Sequence, residues 1–482
     1  MSDRGHLNEH SGRRPGVLNA VAWQGAGRMS ERAIRFVVNI ALARMLSPDD
    51  FGTFAAILVP LIALDSITYL ATGPFIIQSG KGDRPSYLNS ILLFSVARGL
   101  LISVMVVVLA PLLADFFERP ELAPFFMFGA LQPLLAGFLS PGIHLLEKRL
   151  QYARVSGNQL FGALTGAGLS LVLALIDPSP WALLIGQVVG VGMVSVGSWV
   201  VAPIRVGFSI DRQAISELKA FALGAIGTPI LIMLVSQAPA VLLGRMDSLA
   251  ALGVFTLAYR LAELPVYIAL TVVGSVLLPA YSRFQADPVR LRVAWLRAWR
   301  VISMYSIVLS LSIAWMGDSL PLIVWGARFV PGSGLMPILA LIGFLSSLLA
   351  VTGPLFWGVG RPAIDRMMQV IRVLIVYICG VLLVSKYAES GLAWSLVLGL
   401  IGALLLAIPS ALRITGASIP CLLRQSIPMI VIGVILLAVL TVLDRAIETS
   451  DLARVVSGGV VLLTTLLVVS LLTFRRFRGS FE

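Results

Sequence analysis

The residues in this sequence with the most chemical potential are charges placed where charges are costly. Arg28, Glu31, Arg32, Arg35, Asp65, Arg98, Arg260, Glu263 and Arg372 all fall inside long apolar runs. Each costs about 2.5–3.5 kcal/mol at the centre of a membrane helix, so such groups face a partner or a watery cavity. Arg28, Arg32 and Arg35 recur at i, i+4 and i+7 and share one helix face, with Glu31 in reach of Arg28 or Arg35. Arg28 is close enough to a helix end to snorkel, whereas Arg35 is too deep. Two readings follow. In one, the arginines pair with Glu31, Asp65 and Glu263 as structural glue, Arg260 and Glu263 neutralising each other at i, i+3. In the other, Arg35 and Arg98, with Arg32, Arg260 and Arg372, line a cationic cavity that selects an anionic, polar substrate. Six arginines outnumber three acids, and a guanidinium grips phosphate oxygens bidentately and stays charged when dehydrated. Asp65, Glu31 and Glu263 are then the candidate sites for an ion or proton that couples to transport, or else the structural partners.

The elements that position these charges are legible from composition. The chain has 482 residues, 58% apolar and only 12% charged, with a mean hydropathy of +0.95. Soluble domains carry nearer 25% charged residues, so hydrocarbon is the solvent that fits. Apolar runs long enough to cross a bilayer recur at about 21–43, 52–78, 88–114, 122–145, 155–176, 181–203, 220–243, 253–279, 301–323, 335–357, 367–385, 391–411, 426–443 and 455–473. The expected fold is therefore an all-α polytopic membrane protein of about fourteen transmembrane helices. With an even count, both termini lie on one side. Segments on that side carry 23 Lys or Arg and those on the other carry seven, so both termini are expected in the cytoplasm. The basic loop 281–300, interleaved with Trp295 and Trp299, is expected to lie along the membrane surface, attracted to anionic lipid.

An internal repeat supplies the architecture. Arg44-Met45 and Phe51-Gly52-Thr53-Phe54 return at an offset of 201 residues as Arg245-Met246 and Leu252-Gly253-Val254-Phe255. Six helices separate the copies, so the halves keep the same orientation and form parallel repeats. The division expected is a cytoplasmic tail at 1–16, a six-helix bundle at 17–205, a cytoplasmic linker at 206–219, a second six-helix bundle at 220–413, and two appended helices with a basic tail at 414–482. A central cavity lies between the bundles.

Other chemistries find little support. Cys379 and Cys421 fall in a span and a loop, and His144 is far from His6 and His10, so no metal site is expected. No phosphate-binding loop with its lysine is present, and no cofactor is implied. Gly162-xxx-Gly166 and Gly186-xxx-Gly190 mean close helix packing. Pro60, Pro133, Pro229, Pro265 and Pro354 mark possible bends. The basic balance of +12 follows the loop asymmetry and gives no reason to invoke nucleic acid.

The run Leu42-Ala43-Arg44-Met45-Leu46-Ser47-Pro48-Asp49-Asp50-Phe51-Gly52 resembles the first helix-to-helix turn of the bacterial polysaccharide transporter family. These are lipid-linked oligosaccharide flippases of the multidrug/oligosaccharidyl-lipid/polysaccharide exporter superfamily. Leu252-Gly253-Val254-Phe255 with Tyr259-Arg260, Leu278-Pro279-Ala280-Tyr281-Ser282-Arg283, and Gly360-Arg361-Pro362 extend the likeness over about residues 17–370. The resemblance implies two six-helix bundles around a cavity that opens alternately to each side. It also implies an inner-membrane flippase, not an enzyme. The substrate would be an undecaprenyl-diphosphate-linked oligosaccharide, destined for exopolysaccharide, capsule or O-antigen, and polymerase and co-polymerase proteins would be downstream partners. The family's cavity residues vary, so the arginines named above rest on their helix positions. The competing functions are a cation-coupled drug exporter of the same superfamily and a membrane-embedded polysaccharide polymerase or ligase. A drug cavity favours acids, and no outer loop is long enough to hold an enzyme's acceptor site.

Overall fold

The computed structural model describes residues 17–207, 211–225, 227–272, 277–332, 334–446 and 450–478. The 1–16 tail, with His6, His10 and the Arg13-Arg14 pair, lies outside them. Among the described residues the chain is helical, with turns between helices.

The N-terminal half runs α1 (Val17–Met45), α2 (Pro48–Ile67), α3 (Thr72–Gln78), α4 (Pro85–Phe116), α5 (Ala123–Gly129), α6 (Leu131–Gly137), α7 (Gly142–Lys148), α8 (Tyr152–Ile176) and α9 (Pro180–Val201). The linker contains α10 (Arg212–Ala225), whose helical conformation continues past residue 219. The C-terminal half runs α11 (Gly227–Met246), α12 (Leu249–Ala262), α13 (Leu264–Val272), α14 (Leu278–Arg283), α15 (Pro288–Met316), α16 (Ser319–Val324), α17 (Leu335–Gly358) and α18 (Pro362–Thr415). Then come α19 (Ile419–Ala446) and α20 (Asp451–Arg478). Ten of the described helices or helix runs are long and apolar enough to cross a membrane, and the bent run over residues 120–148 qualifies as a pair. The protein is a multi-pass membrane protein.

Local chemistry sets the helix boundaries. Proline occupies the first turn of α2, α4, α9, α15 and α18, where its missing N–H costs nothing. The 54-residue α18 is two helices. Ala388 takes φ 48° and ψ −126°, and the chain doubles back, so that a Cβ on Gly399 would meet Val376 and Arg372 and one on Gly402 would meet Ile375. The 122–145 run is likewise broken, into α5, α6 and α7.

The 201-residue repeat appears as geometry where the halves meet. Ser47 and Ser248 cap α2 and α12 alike, each hydroxyl accepting from the amide three residues on, Asp50 and Ala251. A Cβ built on Gly52 would stand 1.6 Å from the Leu249 carbonyl oxygen, and one on Gly253 would stand 1.9 Å from that of Pro48. The same offset relates both contacts, and a local twofold axis between the halves generates that exchange. Only glycine lets two backbones approach so closely. Gly166 and Gly186 serve α8 and α9 in the same way, as the small-residue spacing implies, with 2.6 Å between a Cβ on one and the carbonyl oxygen of the other.

One expectation fails. Trp295 and Trp299 are not on the outside of the molecule, where a lipid-facing helix would present them. Both are buried, because α15 continues from Pro288 without a break and packs against α17, α19 and α20. Trp299 Nε1 donates to Ser426 Oγ on α19 at 3.1 Å. Arg290 and Arg297 remain on the exposed side of the same helix.

Candidate functional site

A cavity of about 660 Å³ lies between the halves, walled by α1, α2, α8 and α9 on one side and by α12 and α13 on the other. Its walls are mostly apolar or small. The polar exceptions are Arg32, Arg35, Asn39, Gln187, Arg260, Glu263 and Tyr267, with Ser170 on α8. The i, i+3/i+4 arrangement of α1 brings Arg32, Arg35 and Asn39 toward one chamber. Across it, α12 presents Arg260, and the α12–α13 junction presents Glu263 and Tyr267.

Three guanidinium groups thus face a single carboxylate among the lining residues. Tyr267 Oη donates to Glu263 Oε2 at 2.7 Å, and the Arg32 guanidinium lies over the Tyr267 ring with its carbon 4.2 Å from the centroid. Arg35 Nε pairs with Glu31 Oε1 at 3.1 Å, and its Nη1 donates to Gln187 Oε1 at 3.4 Å. Half of the Arg35 side chain stays exposed to the chamber. Arg260 makes no ion pair among the described residues, even with Glu263 three positions on, although it lies in the fields of Glu263, Tyr267 and Arg35. Of the two readings of Arg260, the one that pairs it with Glu263 does not hold among the described residues.

The other expected site residues lie elsewhere. Arg372 on α18 is not in the lining. It lies in the fields of Tyr259 and Glu263, and its buried Nε has no hydrogen-bond partner among the described residues. Arg98 is also outside the lining. Its Nη2 donates to both the carboxylate and the backbone oxygen of Asp65, at 2.6 and 2.7 Å, and its Nε donates to Thr68 Oγ1 at 3.0 Å. Asp65 on α2 therefore serves as that arginine's partner. Among the named residues, the structure gathers Arg32, Arg35, Arg260 and Glu263 around one chamber. Glu31 stands beside it, and Arg98 with Asp65 lies apart.

Sequence reasoning overlooked Asn39, Gln187 and Tyr267 because they carry no charge. A signal was present, since Arg35–Asn39 and Glu263–Tyr267 are both i, i+4 pairs of polar residues inside apolar runs. Among the described residues, no three of His, Cys, Asp or Glu come together as a metal site would need.

The arrangement can hold a dianionic group. The arginines are pre-placed on two helices from opposite halves, in a chamber with little other charge, where guanidinium–phosphate bonds are strong. Residues 41–333 match the family described as "Polysaccharide biosynthesis protein". The chain is 24% identical over 356 residues to the succinoglycan biosynthesis transport protein ExoT of Rhizobium meliloti (strain 1021), covering 72% of this chain and 70% of that protein. It is 22% identical over 347 residues to the teichuronic acid biosynthesis protein TuaB of Bacillus subtilis (strain 168), covering 72% of each. It is 22% identical over 341 residues to the lipopolysaccharide biosynthesis protein WzxC of Escherichia coli (strain K12), covering 70% of this chain and 68% of that one. In fold it is similar to the lipid II flippase MurJ in an inward closed conformation, with a TM-score of 0.76 at 12% identity, over 94% of this chain and 99% of that one. It is also similar to an inward-facing multidrug resistance MATE family transporter of the MOP superfamily, with a TM-score of 0.62 at 14% identity, over 82% and 98%.

Proposed function

The chain belongs to the polysaccharide biosynthesis protein family, and from that premise we propose that it is a flippase for undecaprenyl-diphosphate-linked oligosaccharides. It moves repeat units from the cytoplasmic to the periplasmic leaflet of the bacterial inner membrane, for exopolysaccharide, capsule or O-antigen assembly. The observation that carries this reading is the chamber lined by Arg32, Arg35 and Arg260 with Glu263 as the one carboxylate of the lining, Glu31 pairing with Arg35 from beside it. A diphosphate entering a low-dielectric site needs fixed positive charge to replace its hydration, and arginine supplies it in bidentate form. The names of ExoT, TuaB and WzxC, which place those proteins in the making of surface polysaccharides, support the same substrate class.

In this mechanism Arg35 exchanges Glu31 for phosphate oxygens, and Arg260 meets the diphosphate from the other half. Asn39 and Gln187 hydrogen-bond the sugars, and the polyprenyl chain stays in lipid. Arg372 strengthens the field near Tyr259, while Arg98 and Asp65 brace α4 against α2. Glu263 is the lining's own counter-charge to Arg32 and Arg260, Glu31 serving Arg35, and it is the acid best placed to couple an ion or proton. Both termini are cytoplasmic, by the loop charges. The chamber then opens alternately as the halves rock about the seam between α2 and α12, and the delivered lipid passes to a polymerase and co-polymerase.

The test is complementation of a strain lacking its own flippase. The parent chain restores polysaccharide export. Arg35→Ala combined with Arg260→Ala inserts normally and exports nothing. Full export by that double variant would remove the chamber from the mechanism. A drug exporter of the same fold would instead raise drug resistance, and a chamber with three bases and one acid disfavours the cationic compounds such exporters carry.

A further inference from the structure

The end of the molecule bearing the α1–α2 and α11–α12 turns is fastened by two arginines that the repeat relates. Arg44, at the end of α1, donates through Nη2 to the Ile323 carbonyl at 2.5 Å, in the last turn of α16. Its counterpart Arg245, at the end of α11, pairs with the Glu118 carboxylate just beyond α4. Each arginine therefore reaches out of its own half into the other. Beside the second contact, the Phe117 ring fills the space over Gly244, where a Cβ would stand 2.9 Å from the ring edge. Arg119 in turn holds Asp49 at the start of α2 at 3.1 Å, so the 117–119 segment grips both halves.

The backbone marks this segment as special. Glu118 takes φ 55°, a left-handed conformation that an ordinary side chain adopts at a cost. The exit from α15 also passes through positive φ, but there the residue is Gly317, at φ 51°, where such a conformation is free. A glycine would suit position 118 better on backbone grounds alone. What glutamate adds is a carboxylate aimed across the seam.

We propose that Glu118 and Arg245 form a gate fastener that closes the chamber toward the α1–α2 turn end, with Arg44 as the reciprocal tether. The strained turn is kept because it delivers the carboxylate to the opposite half. This rests on the alternating-access reading above and names the pair that sets its resting state. Because the pair is partly exposed, it biases the equilibrium without locking it, by about fivefold. A fastener of that strength gives way when substrate binding favours the other state.

The experiment reads accessibility with no substrate present. Cys379 and Cys421 are replaced by serine, Ala167→Cys provides a single thiol in the chamber wall, and a membrane-impermeant maleimide is added to right-side-out vesicles. Glu118→Gln and Arg245→Gln should each raise the labelling rate about fivefold, and the double variant should exceed neither. The exchange Glu118→Arg with Arg245→Glu should restore slow labelling. Glu118→Gly separates the roles of backbone and carboxylate, because it relaxes the turn while removing the fastener, so its labelling should also rise with no loss of thermal stability. Parental labelling rates in folded Glu118→Gln and Glu118→Gly would overturn the proposal. Faster labelling seen only in inside-out vesicles would keep the fastener and reverse the orientation. Faster labelling in a chain that fails to restore polysaccharide export would keep the fastener and discard the substrate.

Discussion

Two arginines of the N-terminal half are held differently from two of the C-terminal half. In the N-terminal half, Arg98 makes three hydrogen bonds to Asp65 and Thr68, and Arg35 has Glu31 one turn away. In the C-terminal half, Arg260 and Arg372 have no ion-pair partner among the described residues. At the seam, by contrast, the halves are alike down to the capping serines and the exchanged glycine contacts. The seam is symmetrical and these charges are not. Arg98, paired with Asp65, joins α4 to α2, while on the function proposed above Arg260 is held ready for an anion from outside. Unpaired buried charge is expensive, so it persists where something visits it.

The largest effect expected from this contrast is on transport. Hydrogen bonds from a charged group are worth about 1.5–3 kcal/mol, so Arg260→Ala should cut export by about tenfold or more at unchanged protein level. Replacing the paired arginine together with its partner, as Arg98→Gln with Asp65→Asn, should leave export within a few-fold of the parent. Equal losses from both changes would dissolve the distinction between bracing and binding arginines. The measurement is polysaccharide export normalised to membrane-inserted protein.

The likeness at the seam can be broken separately. Gly253→Ala places a methyl inside the van der Waals contact of the Pro48 carbonyl, and Gly52→Ala does the same at Leu249. Overpacking of this kind costs about 1–3 kcal/mol. Both variants should lower the thermal midpoint in detergent, and by similar amounts. A fall with one and not the other would show that the symmetry is only approximate.

Much of this was legible in the sequence, for reasons that also explain what was not. Apolar length and proline position are local properties, so the runs at 88–114 and 181–203 became α4 and α9, whereas the 301–323 run proved to be the later part of α15, which starts at Pro288. The repeat was legible because the close approach of α2 to α12 needs glycine in both copies. Partner choice was not legible, since Arg98 and Asp65 lie on different helices and nothing in their 33-residue separation shows that they meet. Arg98 therefore looked like a cavity residue, and for Arg260 the sequence left both a neutral pair with Glu263 and a place in the cavity open. The tryptophans of α15 misled for a related reason. Their spacing among arginines matches a surface helix, and only the packing of α17, α19 and α20 around it shows that they turn inward.

A smaller effect concerns the Arg98–Asp65 pair itself. The Asp65 side chain is 60% exposed, so solvent screens the pair and its worth is about 1 kcal/mol or less. Asp65→Ala should lower the thermal midpoint slightly, and a double-mutant cycle with Arg98→Gln should assign most of that fall to the interaction. A coupling near zero would mean that Thr68 and the Asp65 carbonyl hold Arg98 without the carboxylate.

The most discriminating of the small effects is at Tyr267. Its hydroxyl donates to Glu263 while its ring lies under Arg32, so the two contributions can be separated by one atom. Tyr267→Phe removes the hydrogen bond, worth about 1.5–3 kcal/mol locally because its acceptor is charged, and keeps the face on which Arg32 rests. Glu263, no longer tied to the tyrosine, is then free to turn toward Arg260 and satisfy it. If the chamber works through unpaired guanidinium groups, that internal neutralisation weakens the grip on a diphosphate. Export should fall a few-fold at low substrate supply and recover when supply is raised, while thermal stability changes little. Tyr267→Leu, which also removes the ring, should lose more and not recover. A Tyr267→Phe chain that exports like the parent at every supply level would mean that Glu263 was never the counter-charge, and that the excess of positive charge in the chamber is larger than the resting geometry implies.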